Sequence, residues 1–570
     1  MSGAARLWML ALGGAAAMFL VQPPADLWML AWLAPLPWLR IVQSPDLAGR
    51  RPWLVLWVAG FVHWLATIHW LRLPHPATAI GWILLSGYLA GYVPLFVWIA
   101  RRLGHHWRWP LVAAAPVAWM ACEHLRGTFL GGFTFAGLGH TQWRCTELIQ
   151  CADLAGAGGV SGVVMAAAAG IAAVTSLRRV ASHRALLVEA ACAVAVVTVA
   201  FLYGTWRVGT APPSRGEPLD VLLVQGSIDT ELKHDPDAAV DVARHYDEIT
   251  MAGLAADATR RPDLVVWPET MWRVGLVEID GGVTFPAAEI DAALGPAAAD
   301  SAPPAERQAQ YRDLLERQRL DALVPFARRY DTTWLVGLDR QRLLSADPPR
   351  WESFNSALFL DAAGGVVACY DKMHPVMFGE YVPLADRFPV LYRLTPLPGG
   401  LTAGRSPVAV EIAGRQVAPT ICYETALPAA VRSLVLELER ERRRPDVLVN
   451  LTNDGWFWGS SELDMHLVAA IFRAVEVRTP IVIAANTGFS AAIDGCGRLR
   501  ARGPRRAAEP LRAAVWPDGR RSPWLAAGSV APGACVAVAA AVLLEALVRG
   551  PWTRGRTPPP GNPAPWLEDR

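Results

Sequence analysis

The apolar residues of this chain are gathered into long blocks, and that arrangement restricts the fold more than any other feature. From Ala5 to about Trp206 they fill candidate spans at roughly 5–22, 26–42, 52–71, 78–100, 110–124, 154–176 and 185–204, with an eighth at 525–547. Each approaches the ~20 residues that a bilayer crossing needs. The first two are short and broken by Pro23, Pro24, Pro35 and Pro37, so their limits are poorly marked. Arg6 ahead of an apolar stretch also fits a cleaved leader. However, Val21-Gln22-Pro23-Pro24 is a poor small-residue cleavage site, and more spans follow. Composition agrees with a chain that faces lipid: only 18% of the 570 residues are charged and 25 are Trp, where soluble domains carry about 25% charge.

Arginines set the expected orientation. Alternate connections carry Arg40, Arg50 and Arg51, then Arg101, Arg102 and Arg108, then Arg178, Arg179 and Arg184, and the tail adds Arg549, Arg554 and Arg556. The other connections hold none in the first case, then Arg72 alone, then Arg126 and Arg144. Arginine excess marks the cytoplasmic side. Both termini are therefore expected inside, which eight spans satisfy, and the long segment of about 207–522 is expected outside.

That segment reads differently. Short β-rich runs such as Val221–Val224, Leu264–Trp267, Trp334–Gly337, Ser356–Leu360, Val408–Val410, Val447–Asn450 and Ile481–Ala484 alternate with charged helical stretches near 307–329, 428–444 and 462–478. Alternation of this kind predicts an α/β domain. The Ala- and Pro-rich stretch 281–306 reads as an inserted loop, the Arg-rich stretch 498–521 as a solvated connector or else a contact for anionic head groups, and the tail from Pro551 as disordered. The expected units are a seven-helix bundle over 1–206, an α/β domain over 207–522, a last span over 523–548 and a tail over 549–570. A net charge of +2 without a basic stripe argues against a nucleic-acid partner. The eight cysteines are scattered without a CxxC pair, so no metal site or disulfide framework is expected, and only Cys145–Cys151 is close enough in sequence to check.

Three strand ends carry reactive groups. Val265-Val266-Trp267-Pro268-Glu269 ends on a carboxylate, Cys369-Tyr370-Asp371-Lys372 on an amine, and Ala418-Pro419-Thr420-Ile421-Cys422 delivers a thiol ahead of a helix. A thiol at a helix N-terminus ionises more easily, and the thiolate is the nucleophile. A carboxylate can take its proton and a lysine can stabilise the oxyanion formed on attack. Singly, each residue has an ordinary reading: a core cysteine, a solvated glutamate, a turn lysine.

Together and in this order, Trp267-Pro268-Glu269, Tyr370-Asp371-Lys372, Cys422-Tyr423-Glu424 and Asn453-Asp454-Gly455-Trp456-Phe457 resemble the Glu–Lys–Cys signatures of the nitrilase superfamily. The resemblance covers about 219–500. It implies an α–β–β–α sandwich with Cys422 as nucleophile, Glu269 as general base and Lys372 beside the tetrahedral intermediate. Soluble members of that superfamily lack membrane spans. With the spans, Glu123-His124-Leu125-Arg126-Gly127, Gly139-His140-Thr141-Gln142, Val224-Gln225-Gly226-Ser227-Ile228, Phe378-Gly379-Glu380-Tyr381-Val382-Pro383 and Asn486-Thr487-Gly488, nearly the whole chain resembles the membrane-bound branch, the apolipoprotein N-acyltransferases.

That resemblance implies acyl transfer from a phospholipid to the N-terminal amine of an S-diacylglyceryl-cysteine apolipoprotein, through a thioester and without a cofactor. It also implies a monomer in the bacterial inner membrane with its catalytic domain on the periplasmic side. Glu380 would be a second acidic group near the nucleophile, or else a surface or salt-bridging glutamate. Glu424 would orient Lys372 or the thiol, and Tyr423 would support or simply pack. Phe378, Trp456, Phe457 and Trp458 are candidates for an apolar cover over the thioester, or else ordinary packing. The run Leu232-Lys233-His234-Asp235 stands where members often carry a Trp, and Met377 where a Pro is common before Phe-Gly-Glu. His374 and His466 lack ligand partners at metal spacing and read as structural. Two rival readings share these residues: a membrane-tethered hydrolase of a small amide or nitrile, and a scaffold or transporter with an inactive domain. The spans count against the first. The complete Glu269, Lys372 and Cys422 set, and the lack of intramembrane charge pairs, count against the second.

Overall fold

The computed structural model describes residues 2–175, 183–212, 216–229, 238–295, 302–385, 387–394, 397 and 399–549. The run Leu232–Asp235 and the tail beyond Arg549 lie outside them.

Among the described residues, five helices are long and apolar enough to cross a membrane: Gly3–Leu20, Thr78–His106, Ala152–Val174, Arg184–Gly209 and Val530–Val548. The expected count of eight is not reproduced. The 26–42 block is a short 3-10 segment, Trp28–Trp32, followed by the eight-residue helix Leu36–Gln43. The run Pro52–Thr67 has only 16 residues, which at 1.5 Å per residue is about 24 Å. Leu111–Thr128 carries Glu123 and Arg126 near its end. Small residues let these helices approach closely: Ala59, Ala114, Ala115, Ala118, Ala168 and Ala169 are fully buried, and Ala539 and Val542 of the last helix join the same core.

The segment after Gly209 folds into two six-stranded sheets. The first runs β12 (Glu509–Val515), β1 (Leu219–Gln225), β2 (Leu264–Ile279), β3 (Thr333–Ala346), β4 (Pro349–Leu360), β5 (Val366–Asp371). The second runs β11 (Leu499–Arg502), β10 (Ala491–Ile493), β9 (Ile481–Ala485), β8 (Val447–Thr452), β7 (Arg415–Ile421), β6 (Val410–Ile412). Strands β1, β2 and β3 are parallel, as are β7, β8 and β9. Fully apolar strands suit a sheet covered on both faces. Val221, Leu223, Leu264 and Val266 meet Val417, Ile421, Val447 and Val449 between the sheets. Helices cover the outer faces, Ala239–Ala256 and Val324–Tyr330 on one side, Pro428–Arg440 and Glu462–Val477 on the other. This is the four-layer sandwich.

Two expectations are corrected here. The Arg-rich 498–521 stretch contains β11 and β12, the outer strands of different sheets, and several of its arginines are held in ion pairs: Arg500 with Asp494, Arg505 with Asp464, Arg512 with Asp220, Arg520 with Asp518. It is therefore not a solvated connector. Within 281–306, Ala287–Leu294 is a helix fixed by Arg307–Asp291 and by the Tyr311 hydroxyl donating to Glu289. Cys145 and Cys151 are free thiols.

The bundle and the sandwich share one apolar cluster, in which Leu148, Ile149, Val160 and Ala200 pack with Leu467, Phe472 and Trp524. At its edge the fully buried Asp153 pairs with Arg207 and with Arg478, and accepts the Tyr203 hydroxyl. Sequence reading expected no charge pairs within the bundle. The Asp153–Arg207 pair joins two bundle helices and corrects that expectation, while Arg478 comes from the sandwich, so its pair with Asp153 fastens the two units together.

Candidate active site

The candidate residues meet at the carboxyl ends of the parallel strands, where backbone groups run out of ladder partners. Glu269 does not end its strand as expected. It sits in a bulge of β2, where the register against β3 shifts between Trp267 and Trp272 and Thr270 takes a positive φ of 53°. Gly337 on β3 makes room for the bulge, since a Cβ there would lie 2.2 Å from the Pro268 carbonyl and 2.7 Å from the Glu269 Cα. The bulge turns the Glu269 carboxylate inward, where it accepts from Asn355 Nδ2 at 2.6 Å and from the Asn453 backbone N–H at 3.0 Å. Lys372 leaves the end of β5, tied by its N–H to the Asn355 carbonyl at 2.8 Å.

Lys372 is 1% exposed. Its ammonium donates to Glu380 at 2.6 Å and lies 3.5 Å from Glu269. Burial works against that charge, but Glu380 and then Glu269 outweigh it, so the amine holds its proton above the ordinary lysine range. Glu380 is therefore no free surface group. Its other oxygen accepts from the Val376 N–H at 2.7 Å, closing the Phe378–Glu380 turn over the lysine.

Cys422 follows β7 with φ 51°, a left-handed conformation that a residue with a Cβ holds only under constraint. The helix it opens is a five-residue 3-10 turn, Cys422–Ala426, too short to supply the dipole anticipated from sequence. Burial, reinforced by the Glu269 charge, pushes the thiol well above its usual range, while Lys372 pulls the other way. The group therefore rests as a thiol, and attack requires a base.

Glu424 orients neither the lysine ammonium nor the sulfur directly. Its carboxylate, 2% exposed, accepts from the N–H of Met373, His374 and Ile421 at 2.7, 3.0 and 2.8 Å and from the Tyr370 hydroxyl. Burial opposes its charge, yet the His374 side chain, then the Ile421 N–H and the Tyr370 hydroxyl, hold the carboxyl below its ordinary range. It thus staples the chain just after Lys372 to the chain just before Cys422. Tyr423 points away, donating to the Gly132 carbonyl at 2.9 Å and packing against Phe135 at 5.8 Å. Both contacts lie in the loop after Leu111–Thr128, so the residue after the thiol is anchored in the bundle. Thr134 does the same from the other side, donating to the Ala426 carbonyl at 2.6 Å.

The aromatic candidates divide. Phe457 packs edge-on against Trp70 at 5.0 Å and is part of the interface with the bundle. Phe378 is 62% exposed and Trp458 49%, both with positive φ, and Trp456 is partly exposed. Phe378 and Trp458 thus present exposed apolar surface. Sequence reading missed Asn355 and Asn450, whose Nδ2 groups donate to Glu269 and to the Cys422 carbonyl. Both lie inside apolar strands, where a lone buried amide was the available signal. His374 is near Glu424 at 3.6 Å, and His466 lies against the Cys422 carbonyl at 3.2 Å.

Residues 14–171 match the apolipoprotein N-acyltransferase N-terminal domain, and residues 223–520 match the carbon-nitrogen hydrolase family. The chain is 30% identical to the apolipoprotein N-acyltransferase of Rhodopirellula baltica over 544 residues, covering 90% of this chain and 92% of that one. It is likewise 30% identical to that of Geobacter metallireducens, covering 91% of each. The matches span both the helical bundle and the sandwich, with the buried Glu269–Lys372 pair and the Cys422 turn inside the second: this chain belongs to the apolipoprotein N-acyltransferase family.

Proposed function

We propose that this membrane protein moves a fatty acyl chain from a phospholipid to the N-terminal amine of an S-diacylglyceryl-cysteine apolipoprotein, through a thioester on Cys422. The observation that carries the reading is the direct attachment of the cysteine turn to the bundle, through Tyr423 to Gly132 and Ala426 to Thr134. Chemistry on a small soluble amide gains nothing from that attachment. Chemistry on two lipid-bearing substrates does, because neither has to be extracted from the bilayer.

In this reading Glu269 takes the Cys422 proton as sulfur attacks the ester carbonyl, and the Lys372 ammonium faces the developing oxyanion. The tetrahedral species collapses, the lysophospholipid hydroxyl leaves with the proton from Glu269, and the thioester remains. The acceptor amine then attacks that carbonyl and gives its proton to Glu269, which returns it to the departing thiolate. Separate half-reactions make the kinetics ping-pong. Glu380 and Glu424 hold Lys372 and the cysteine turn in register. Phe378, Trp456 and Trp458 line the acyl path.

The arginine pattern supports a periplasmic catalytic face and cytoplasmic termini, with a bundle over 1–206, a catalytic domain over 207–522 and a last span over 523–548. We read the working unit as a monomer, since one chain supplies every group in the scheme. A labelled phospholipid and a synthetic diacylated lipopeptide with a free cysteine amine test the proposal. Labelled triacylated peptide should form at a rate that gives parallel double-reciprocal lines. Hydrolysis of small amides with no lipopeptide product would favour the hydrolase instead.

A further inference from the structure

The strained Cys422 backbone needs something to hold it, and three donors converge on its carbonyl. These are Thr425 Oγ1 at 2.9 Å, Asn450 Nδ2 at 3.2 Å and His466 Nε2 at 3.2 Å. The third is unlike the others. The opposite ring nitrogen of His466, Nδ1, faces Asp454 Oδ1 at 3.0 Å, and that oxygen also accepts the Thr452 hydroxyl at 2.8 Å. A carbonyl and a carboxylate are both acceptors. A ring between them needs a proton on each nitrogen, which makes it an imidazolium.

Its surroundings preserve that state. His466, Asp454 and Glu462 are all buried, and Phe135 closes the ring from the bundle side at 6.5 Å. Burial opposes the histidine charge, but Asp454 more than compensates and the group titrates at about 9. Burial and the Asp454 charge push the Glu462 carboxyl well above its usual range. The ligand atoms of the three side chains lie within 4.8 Å of one another. A cation there would need a lone pair on His466, but Nδ1 is turned to Asp454 and Nε2 to the Cys422 carbonyl, and the Thr425 hydroxyl 3.5 Å from Nε2 gives its proton to that same carbonyl at 2.9 Å.

We propose that His466 is a positioning residue of the acyl transfer: a fixed imidazolium that pins the Cys422 carbonyl and cancels the Asp454 charge behind the nucleophile. This rests on Cys422 being the nucleophile. The Asp454 charge opposes ionisation of the Cys422 thiol, so an uncharged residue at 466 leaves that opposition in place, while a simultaneous loss of the Asp454 charge removes it.

The test uses full-length protein in detergent, iodoacetamide as thiolate probe, and peptide mass spectrometry to read alkylation at Cys422 alone across pH. His466→Gln keeps an N–H for the carbonyl and loses the charge. It should move the alkylation midpoint up by about one unit, a roughly tenfold slowing at neutral pH. His466→Gln/Asp454→Asn should recover most of that shift, and phospholipid acylation of Cys422 should follow the same order. A midpoint unchanged in His466→Gln, or no recovery in the double variant, overturns the proposal, because distortion alone would not be reversed by a second substitution. A stoichiometric divalent ion in the purified protein that His466→Gln removes would overturn it as well. If the wild type itself takes no acyl group from phospholipid, the transferase reading fails, whatever the variants do in alkylation.

Discussion

Glu424→Gln removes one charge and keeps the shape, and the structure says what it should cost. In the native site Oε1 accepts from Met373, His374 and Tyr370, and Oε2 from Ile421 and Tyr370. An amide nitrogen at Oε1 would face two backbone N–H donors, so glutamine will place its nitrogen at Oε2, against one. There it can donate to the Tyr370 oxygen, but the Ile421 N–H is left without an acceptor. A lost bond to a charged group is worth about 1.5–3 kcal/mol and a stranded buried donor about 1–3 kcal/mol, so the sum is about 4 kcal/mol. Ile421 immediately precedes the strained Cys422, so part of this cost relaxes the turn and part lowers stability. Acylation of Cys422 by labelled phospholipid should fall about a hundredfold if two-thirds of the cost reaches the transition state, with the rest seen as a lower unfolding midpoint in detergent. Tyr370→Phe, which strands no backbone group, should cost much less in both assays. Acylation within about threefold of wild type together with an unchanged midpoint would refute the stapling role.

Other perturbations follow from the same geometry. Gly337→Ala puts a Cβ 2.2 Å from the Pro268 carbonyl. It should displace the Glu269 bulge and cut acylation at least about tenfold, while iodoacetamide still reaches Cys422. Asp153→Asn leaves Arg207 and Arg478 buried with only a neutral partner. Breaking such a pair costs about 3–5 kcal/mol, and limited proteolysis should cut between bundle and sandwich sooner than in wild type. The His466 pKa is raised from 6.5 to about 9, so its contribution to stability is complete below about pH 6.5 and is lost as pH rises through 9. That contribution is about 3 kcal/mol at most. The unfolding midpoint should therefore drop between about pH 6.5 and 9 in wild type and hardly at all in His466→Gln.

Much of the site was legible because its chemistry sits where strands end. Apolar runs leading into Lys372 and Cys422 mark such ends, the run into Glu269 marks the bulge where β2 leaves its ladder instead, and the strand–helix alternation announced the sandwich. The missing parts depend on three-dimensional coincidence. The helix Ala239–Ala256 has a mixed polar surface, and its place is settled by Tyr246 and Leu254 packing on Trp267 and its neighbours. Nothing in Asp153 or Arg478 alone predicts their pairing, because they lie 325 residues apart. His466 looked like one more polar residue on an amphipathic helix, and its role depends on the Cys422 carbonyl reaching it from another layer. The second apolar block failed as a single span because its prolines divide it, which apolar composition does not register.

The central claim, that Cys422 carries the acyl group between two lipid substrates, is tested most directly by intact-protein and peptide mass spectrometry after incubation with phospholipid alone. A mass gain of one acyl chain on the Cys422 peptide, absent in Cys422→Ala and discharged by a diacylated lipopeptide but not by water or a small amide, is the predicted result. No adduct in the wild type, or an adduct that persists in Cys422→Ala, would contradict it.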